Sequence, residues 1–525
     1  MIVADFRYTF AGLLSLFALT ACNDYLDQQP DDRAVVDSKA QVENLLVSAY
    51  PTHSPAYMLE MSSDNVLDNG KQFSYQPDQN KLYRWLDVTE KGNDDPYYVW
   101  NDGYERVAVA NEAIQDLKNL GDSALFPGEY AEAMLCRAYN MFQLATVFCM
   151  AWNPDSADIY LGLPYPKEPE TDVNTQYKRG TLRQLYENIN NDIEAALPNI
   201  DESYMTVPKY HFNKRAAYAF AARFNLFYHN YDKAISYANN ALGSDVTTMF
   251  RDFASMTEMN ANDIKNAYVK SDVNANLMIV PVYSLAGRAV YSSSWRRFAH
   301  SYVLTSYEGY WCKGPWGSGS WYNTLYMAHK MFGGTDQQGR FPKMDEYWEE
   351  TDKINGSGYA HIVTVPFTTE ETLLVRAEAE ALKKDYTGAL ADMNLWMQEN
   401  CAAVTNGTKR PVLTEAYVNK FIEAIEYAPV TPAFNTMRTI RKVFHPQGFT
   451  VEQGTQENLL QLILQMRRIT TMHEGQRFID IKRYGIEFSH NLDGENPLVF
   501  HAADKRGAIQ LPEDVVKAGL EANPR

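Results

Sequence analysis

The residues with the most suggestive spacing for chemistry lie near the end of the chain, in the segment HEGQRFIDIKRYG at residues 473–485. His473 and Glu474 begin like the helix of zinc proteases, but Arg477 stands where that motif requires its second histidine. Glu474, Arg477 and Asp480 are spaced three apart among apolar neighbours, so Arg477 could bridge the two carboxylates inside the fold. We therefore predict a buried ionic network with a structural and not a catalytic role.

Other catalytic patterns are incomplete or missing. Residues 317–320, GSGS, lack the spacing of a G-x-S-x-G nucleophile elbow, and the sequence contains neither a phosphate-binding loop nor a C-x-x-C pair. The acidic stretches at residues 64–69 and 493–496 do not have EF-hand spacing and are predicted to be turns, so no metal and no cofactor are expected. The sequence does not decide whether two carboxylates form a site for sugar hydrolysis. The 66 acidic residues offer many pairs, and the distance between the two carboxyl groups determines whether a pair can catalyse the reaction.

Composition narrows the class of ligand. A net charge of −18 and a pI near 5.1 argue against nucleic acid, which requires clustered Lys and Arg, and favour a neutral ligand or a protein partner. Five cysteines are too few for a disulfide scaffold. Cys136 and Cys149, on one predicted helix, would lie about 20 Å apart and could not bridge, whereas the pairing of Cys312 with Cys401 is undecided.

Two segments without helical periodicity, residues 58–100 and 245–365, are predicted to be loops with short strands, and tyrosines and tryptophans crowd the stretch from Tyr283 to Tyr326. Sugar rings stack on aromatic faces and need polar groups at their hydroxyl rims, so this composition favours a neutral glycan. Gly314, Gly317 and Gly319 would let the ring-bearing loop turn sharply. The predicted ligand-binding residues are Trp85, Trp295, Trp311, Trp316, Trp321, Arg297 and Asn323. The alternative, that the rings are buried plugs between loop and helices, is open.

The elements that must position these loops are helices. Apolar residues at helical spacing predict helices over residues 39–49, 102–120, 129–148, 181–197, 214–228, 232–242, 370–384, 388–399, 415–426 and 456–472. Ala234 and Ala238 in one hairpin recur as Ala389 and Met393 in another, and the preceding helices keep the same register. This pattern resembles the tetratricopeptide repeat, so the fold class is mainly α, with stacked helical hairpins and loop-rich insertions.

The chain begins with a predicted export signal. Residues 8–21 form an apolar run too short to span a bilayer but long enough for a secretory signal, and it ends in Leu19-Thr20-Ala21-Cys22. This ending resembles a bacterial lipobox, which implies that residues 1–21 are removed and that Cys22 carries a lipid anchor. Residues 22–38 would then form a polar tether that holds the remaining domain, residues 39–525, off a membrane.

Motifs along nearly the whole chain agree with one family. The pattern E-G-x-R-x-x-D-x-x-R-Y-G from Glu474 to Gly485 resembles the C-terminal signature of the SusD/RagB outer-membrane nutrient-binding lipoproteins of Bacteroidetes. The start CNDYLD at residues 22–27, RAY at 137–139, AEA at 377–379 and AIQLP at 508–512 are also similar to the corresponding family segments.

The resemblance implies a function but does not identify the ligand. It implies a SusD-like binding protein, not an enzyme, anchored at the cell surface and acting with a SusC-like TonB-dependent transporter. Its ligand would be an oligosaccharide. A peptide ligand of the RagB type is an alternative, and a surface glycoside hydrolase or a pure assembly scaffold are others.

Overall fold

Helices are the main regular structure of the computed structural model, which describes residues 38–121, 125–171, 175–287, 296–329 and 341–525. The α-helices of these residues are α1 (Lys39–Val47), α2 (Ala56–Met61), α3 (Pro77–Tyr83), α4 (Pro96–Leu120), α5 (Pro127–Phe148), α6 (Leu182–Ala196), α7 (Lys214–Phe227), α8 (Tyr231–Leu242), α9 (Phe253–Met256), α10 (Ala261–Tyr268), α11 (Tyr302–Tyr307), α12 (Thr369–Leu382), α13 (Tyr386–Asn400), α14 (Glu415–Glu423), α15 (Thr455–Thr470), α16 (Gln476–Tyr484) and α17 (Glu513–Lys517). The mainly helical fold class is therefore confirmed.

The strands are short and form small antiparallel sheets. They are β1 (Leu67–Asp68), β2 (Asn276–Val282), β3 (Phe298–Ala299), β4 (Gly317–Ser318), β5 (Tyr322–Asn323), β6 (Tyr347–Asp352), β7 (Ser357–Thr368), β8 (Val404–Thr405), β9 (Thr408–Lys409), β10 (Phe488–His490) and β11 (Leu498–Phe500). The largest sheet has the order β2-β7-β6, and the others pair β1 with β3, β4 with β5, β8 with β9 and β10 with β11. Most of these strands lie in the two segments predicted to be irregular.

The two predicted hairpins, α7–α8 and α12–α13, share the geometry of their turns. His229 has φ of 65° and Lys384 has φ of 66°, and each directly precedes the N-cap position of the second helix, which is Asn230 or Asp385. Non-glycine residues rarely adopt positive φ, so the same exception at the same place shows that the turns are equivalent. Gly243, which follows α8, has φ of 74°, as expected for the end of a helix.

Alanine allows close packing between the hairpins. Ala222, Ala234 and Ala238 are buried, as are Ala377 and Ala389 at the corresponding places of the second hairpin. Helix α12 packs against α8, against its own partner α13, and against α15. Helices α4, α5 and α6 pack in succession on the N-terminal side, and one continuous hydrophobic core extends from Val42 to Leu511.

The two ends of the chain are joined by direct contacts. Asp64 accepts two hydrogen bonds of 2.7 Å from the guanidinium of Arg477. Lys482 donates to the carbonyl oxygen of Thr146 at 2.6 Å, and the backbone amide of Ile509 donates to Val147 at 2.9 Å. The C-terminal segment therefore completes the packing of helices formed early in the sequence.

Two further observations bear on sequence expectations. Cys136, Cys149, Cys312 and Cys401 are free and buried, so Cys312 and Cys401 do not pair. None of the helices in the described ranges has the length and apolarity that a bilayer crossing requires. Cys22 and the apolar run before it lie outside the described residues.

Candidate functional site

The C-terminal signature residues form a buried ionic network, but their partners differ from the prediction. Arg477 pairs with Asp64 and does not bridge Glu474 and Asp480, and Glu474 faces Lys343 instead. The reason is local: Gly475 has φ of 77° and α16 begins only at Gln476, so Glu474 is not on the helix that carries Arg477 and Asp480. The prediction that Arg477 links its two sequence neighbours is wrong.

Arg467 of α15 is the centre of this network. It lies 3.3 Å from Glu371, 3.2 Å from Glu378 and 3.2 Å from Asp480, and all four side chains are buried. Arg483 also contacts Glu378 and Asp480. Since these groups have no access to solvent, the network can hold helices together but cannot meet a ligand.

An open groove of about 650 Å³ lies between the loop that follows α11 and the loop that connects α14 with α15. Apolar atoms dominate its wall. Its main lining residues are Tyr307, Trp311, Tyr427, Met437 and Ile440. We call this the aromatic groove, and its size and lining suit a small organic ligand or a short oligomer.

Trp311 has a fixed orientation at this groove. Its indole N–H donates to the carbonyl oxygen of Ala328 at 2.8 Å, and Tyr302 contacts its ring edge-on at 5.8 Å between centroids. Across the groove, Tyr427 donates its hydroxyl to Glu457 at 2.6 Å, and the Arg441 guanidinium lies 4.0 Å from the tyrosine ring centroid. Rings held in this way offer a flat apolar surface without further loss of side-chain freedom on binding.

A second cavity of about 330 Å³ adjoins the first and is more polar. It is lined by Leu67, Asp68, Asn69, Ser301, Tyr302, Val303, Asn435, Arg438 and Asn491. We call it the polar pocket. Arg438 lines both cavities, so the aromatic groove and the polar pocket meet at this side chain.

The carboxylate of the polar pocket is already paired. Arg297 donates to both oxygens of Asp68, at 2.8 and 2.6 Å. Burial alone would raise the pKa of Asp68, but the hydrogen bonds from Arg297 and from the backbone amides of Asp493 and Gly70 bring it below its ordinary value. Asp68 is therefore ionised and is a poor general acid.

Comparison with family models identifies the family of this chain. A family model described as "Starch-binding associating with outer membrane" matches residues 24–226, and a model of the SusD family matches residues 318–513. Together the two matches cover more than half of the chain. The chain belongs to the SusD/RagB family. The second match includes the groove wall at residues 424–440, whereas Tyr307 and Trp311 on the opposite wall precede it.

Solved SusD-like structures share the fold of this chain at low sequence identity. A SusD superfamily protein from Bacteroides thetaiotaomicron is 15% identical, with a TM-score of 0.59, over 94% of this chain and 100% of that one. A putative sugar-binding protein from Bacteroides vulgatus has the same identity and TM-score over 94% and 99%. A SusD superfamily protein from Bacteroides fragilis gives 15% and 0.58 over 92% and 99%. A comparison with curated proteins finds no match.

Of the ligand-binding residues predicted for this SusD/RagB chain, Trp311 lines the aromatic groove and Trp321 lies on an exposed turn. Trp321 connects β4 with β5 and is 66% exposed. Its neighbour Tyr322 is directly opposite Ser318, a residue of the groove wall, and opposed residues of an antiparallel pair project to the same face. Tyr322 therefore lies beside the end of the groove.

The other predicted tryptophans do not reach this surface. Trp316 is fully buried, 5.7 Å from Trp396 between ring centroids, and a Cβ on Gly314 would collide with its ring. Trp85 is 5% exposed, donates its N–H to the carbonyl oxygen of Ser62 and stacks on His490 at 4.4 Å. Trp316 and Trp85 therefore fit the alternative in which the rings are buried between loop and helices. Both are core residues and not ligand-binding residues. Trp295 lies outside the described residues.

The two predicted polar residues support the site without facing it. Asn323 is fully buried, donates to the carbonyl oxygens of Tyr310 and Gly319, and accepts from the amide of Leu325, so it braces the loop. Arg297 holds Asp68, which lines the polar pocket, and its own side chain is 10% exposed. Both are therefore corrected to positioning residues.

Sequence reasoning missed the far wall of the groove, residues 424–440. This stretch contains Pro429, Pro432 and Phe434 between two helices and has no helical period. The same signal marked the other irregular segments, and would have marked this one. Residues 64–69 and 493–496 contain turns, as the sequence predicts. Within the described ranges no group of three His, Cys, Asp or Glu side chains is placed to hold a metal ion.

Proposed function

We propose that this protein is a cell-surface lipoprotein that binds an oligosaccharide in the aromatic groove and delivers it to a SusC-like TonB-dependent transporter in the outer membrane. The observation that carries the binding part is Trp311, an oriented indole on the wall of an open groove that ends in a pocket of amide and hydroxyl groups. Stacking suits the apolar face of a sugar ring, and the polar pocket suits its hydroxyl groups.

Family membership and one structural relative support a carbohydrate as the ligand. The matching family model carries a starch-binding description, and a solved relative is described as a putative sugar-binding protein. The delivery step is proposed on the family resemblance, and the anchor at Cys22 on the lipobox-like residues that precede it. A peptide remains the rival ligand class, because rings and amides also bind peptides.

Binding is favoured over hydrolysis at this groove. Among the described residues, the carboxylates that line the two cavities are Asp68 and Glu426. Glycoside hydrolysis requires one carboxyl group with a raised pKa, and Asp68 has a lowered one because of Arg297. We therefore propose that the protein has no hydrolase activity at this site.

A binding screen tests the proposal. The purified protein is titrated calorimetrically with panels of oligosaccharides and peptides, and the best ligand is then tested on Trp311→Ala. Truncating a central stacking residue typically costs about 2 kcal/mol or more of binding free energy, so the dissociation constant should rise roughly thirtyfold. Trp348→Ala is the matched control, because Trp348 is 61% exposed on β6 and lines neither cavity.

The outcomes separate the candidate functions. Loss of oligosaccharide binding in Trp311→Ala but not in Trp348→Ala supports the proposal. Binding of peptides alone would replace it with peptide uptake. New reducing ends that appear with turnover, and disappear when Asp68 or Glu426 is substituted, would show a hydrolase instead.

A further inference from the structure

Beneath the junction of the two cavities is a buried cluster in which cations outnumber carboxylates. Its carboxylates are Asp64 and Glu308, and its cations are Arg438, Lys442, Arg468 and Arg477. Arg468 connects the two halves, at 3.3 Å from Asp64 and 3.8 Å from Glu308. These ion pairs therefore join two carboxylates to four cations, and among the described residues the buried Glu60 carboxylate reaches them only through Asn65, which accepts from Arg468.

Both carboxylates are ionised, and although burial lowers the pKa of Lys442, the three arginines alone outnumber them, so the imbalance is one of charge. Burial would raise the pKa of Asp64 and of Glu308, but the neighbouring cations bring both pKa values below their ordinary range. The adjacent network does not correct the imbalance, because there three carboxylates face three arginines. These groups are Glu371, Glu378 and Asp480 with Arg223, Arg467 and Arg483.

Arg438 carries this excess charge to the ligand surface. Its side chain is 8% exposed and lines both the aromatic groove and the polar pocket. In the described part of the chain, its guanidinium has one hydrogen bond, a long one of 3.4 Å to Glu308, and its Nε has no partner. A guanidinium has five N–H donors, so Arg438 keeps donors for a ligand.

The remaining charged groups on the groove wall do not cancel this charge. Lys313 and Glu426 both line the aromatic groove and oppose each other in sign. In the polar pocket, Asp68 is neutralised by Arg297. A cation in a desolvated position is costly unless an anion compensates it, and Arg binds carboxylate and sulfate through two parallel hydrogen bonds.

We propose that the saccharide bound in the aromatic groove carries an anionic substituent, a carboxylate or a sulfate, that pairs with Arg438. This inference rests on the proposed function and changes the neutral ligand expected from composition. The net charge of −18 does not oppose it, because charges beyond about 8 Å are largely screened at physiological salt. The local cation cluster decides the preference.

Matched ligand pairs test the inference on the unmodified protein. Oligogalacturonides are compared with their methyl esters, and sulfated carrageenan oligosaccharides, which contain no carboxylate, with their desulfated forms, together with neutral gluco-oligosaccharides. We expect tenfold or greater preference for the charged member of at least one pair, because hydrogen bonds to charged groups are the stronger ones. This preference should shrink as NaCl is raised. The two pairs distinguish a carboxylate from a sulfate.

Substitutions locate the charge contact. Arg438→Gln should abolish the preference, and Arg438→Lys should retain part of it, because Lys keeps the charge but loses the paired donors. Lys353→Gln is the control, since Lys353 is exposed between β6 and β7 and lines neither cavity. Circular dichroism checks that each variant folds. If Arg438→Gln does not fold, the affinities of the unmodified protein for the paired ligands still test whether an anionic substituent is preferred.

Each result has a distinct meaning. Equal affinity for charged and neutralised saccharides overturns this inference and leaves the proposed function standing. A charge preference that survives both Arg438 variants also overturns it, because the anion then binds elsewhere. If no saccharide binds, or acidic peptides alone bind, the proposed function fails and this inference fails with it.

Discussion

Trp311 and Trp316 lie on the same loop, but one faces the aromatic groove and the other packs in the core. The indole of Trp311 is half-buried at the wall of the aromatic groove, whereas Trp316 is fully buried against Trp396 of α13. The sequence does not predict this difference in burial, because the loop that carries both residues has no helical or strand periodicity. Gly314 and Gly317 form an antiparallel bridge, so the chain reverses direction in the turn that carries Trp316.

Substitution of these two tryptophans should therefore have different effects. Trp316→Ala leaves a large cavity and should lower the free energy of unfolding by about 3–5 kcal/mol. Trp311→Ala should lower it less and should act mainly on ligand affinity. Denaturant titration and calorimetry measure both quantities. Equal loss of stability in the two variants would show that Trp311 is also a core residue.

The alanine contacts of the stacked hairpins give a second prediction. Ala238 and Ala377 are fully buried where α8 and α12 pack, so replacing either with Leu overfills a tight contact and should cost about 1–3 kcal/mol. Ser236→Leu is the control, since Ser236 is exposed on the same helix as Ala238. Thermal unfolding compares the three variants. Matching melting temperatures would disprove the proposed packing.

His229 makes stability depend on pH in a defined direction. Burial, together with the nearby Arg483 guanidinium, lowers the pKa of His229 to about 3, while an unfolded histidine titrates near 6.5. Between these values the unfolded chain binds a proton that the folded chain does not, so the free energy of unfolding falls as the pH decreases, by up to about 1.4 kcal/mol per unit. Stability from this group is complete above pH 6.5.

His229→Asn should remove this part of the acid sensitivity. Asn tolerates the positive φ of 65° at this position and does not titrate. Urea unfolding at pH 7 and at pH 5 measures the effect for both proteins. The stability difference between the two pH values should be smaller in the variant than in the parent protein. An unchanged difference would mean that folding does not lower the pKa of His229.

The lipid anchor is tested at Cys22. If this residue is lipidated after removal of residues 1–21, Cys22→Ser should move the protein from the outer-membrane fraction to a soluble one. Fractionation followed by immunoblotting measures the distribution. Retention at the level of the unsubstituted protein would rule out the lipobox.

The helical scaffold could be predicted from sequence because burial imposes a period on it. Ala234 and Ala238 recur at helical spacing and mark a buried face, and each of the predicted helices overlaps an observed one. The ends were less well determined: α4 begins at Pro96 and not at residue 102. Short helices such as α2 and α3 were missed, because one or two turns are too short to display a period.

The candidate site could be predicted from sequence only as a region. Composition indicated that the loop around Trp311 carries a ligand surface, but Trp316 and Trp85 have the same residue type and are buried by partners distant in the chain. Arg438 gave no signal, because its significance depends on Glu308 and on a charge count that only the packed structure reveals. Residue type predicts the chemistry available, and long-range packing decides which groups can use it.

The contact between Asp64 and Arg477 also sets the order in which the protein can mature. The two residues are 413 positions apart, so at about 5–20 residues per second the ribosome needs roughly 20–80 s to add the arginine after the aspartate. During that time the carboxylate of Asp64 has no cationic partner from α16, and the surface that the last strands cover is open. The early helices cannot reach their final packing before the C-terminus emerges, so prematurely terminated chains should be ready substrates for proteases.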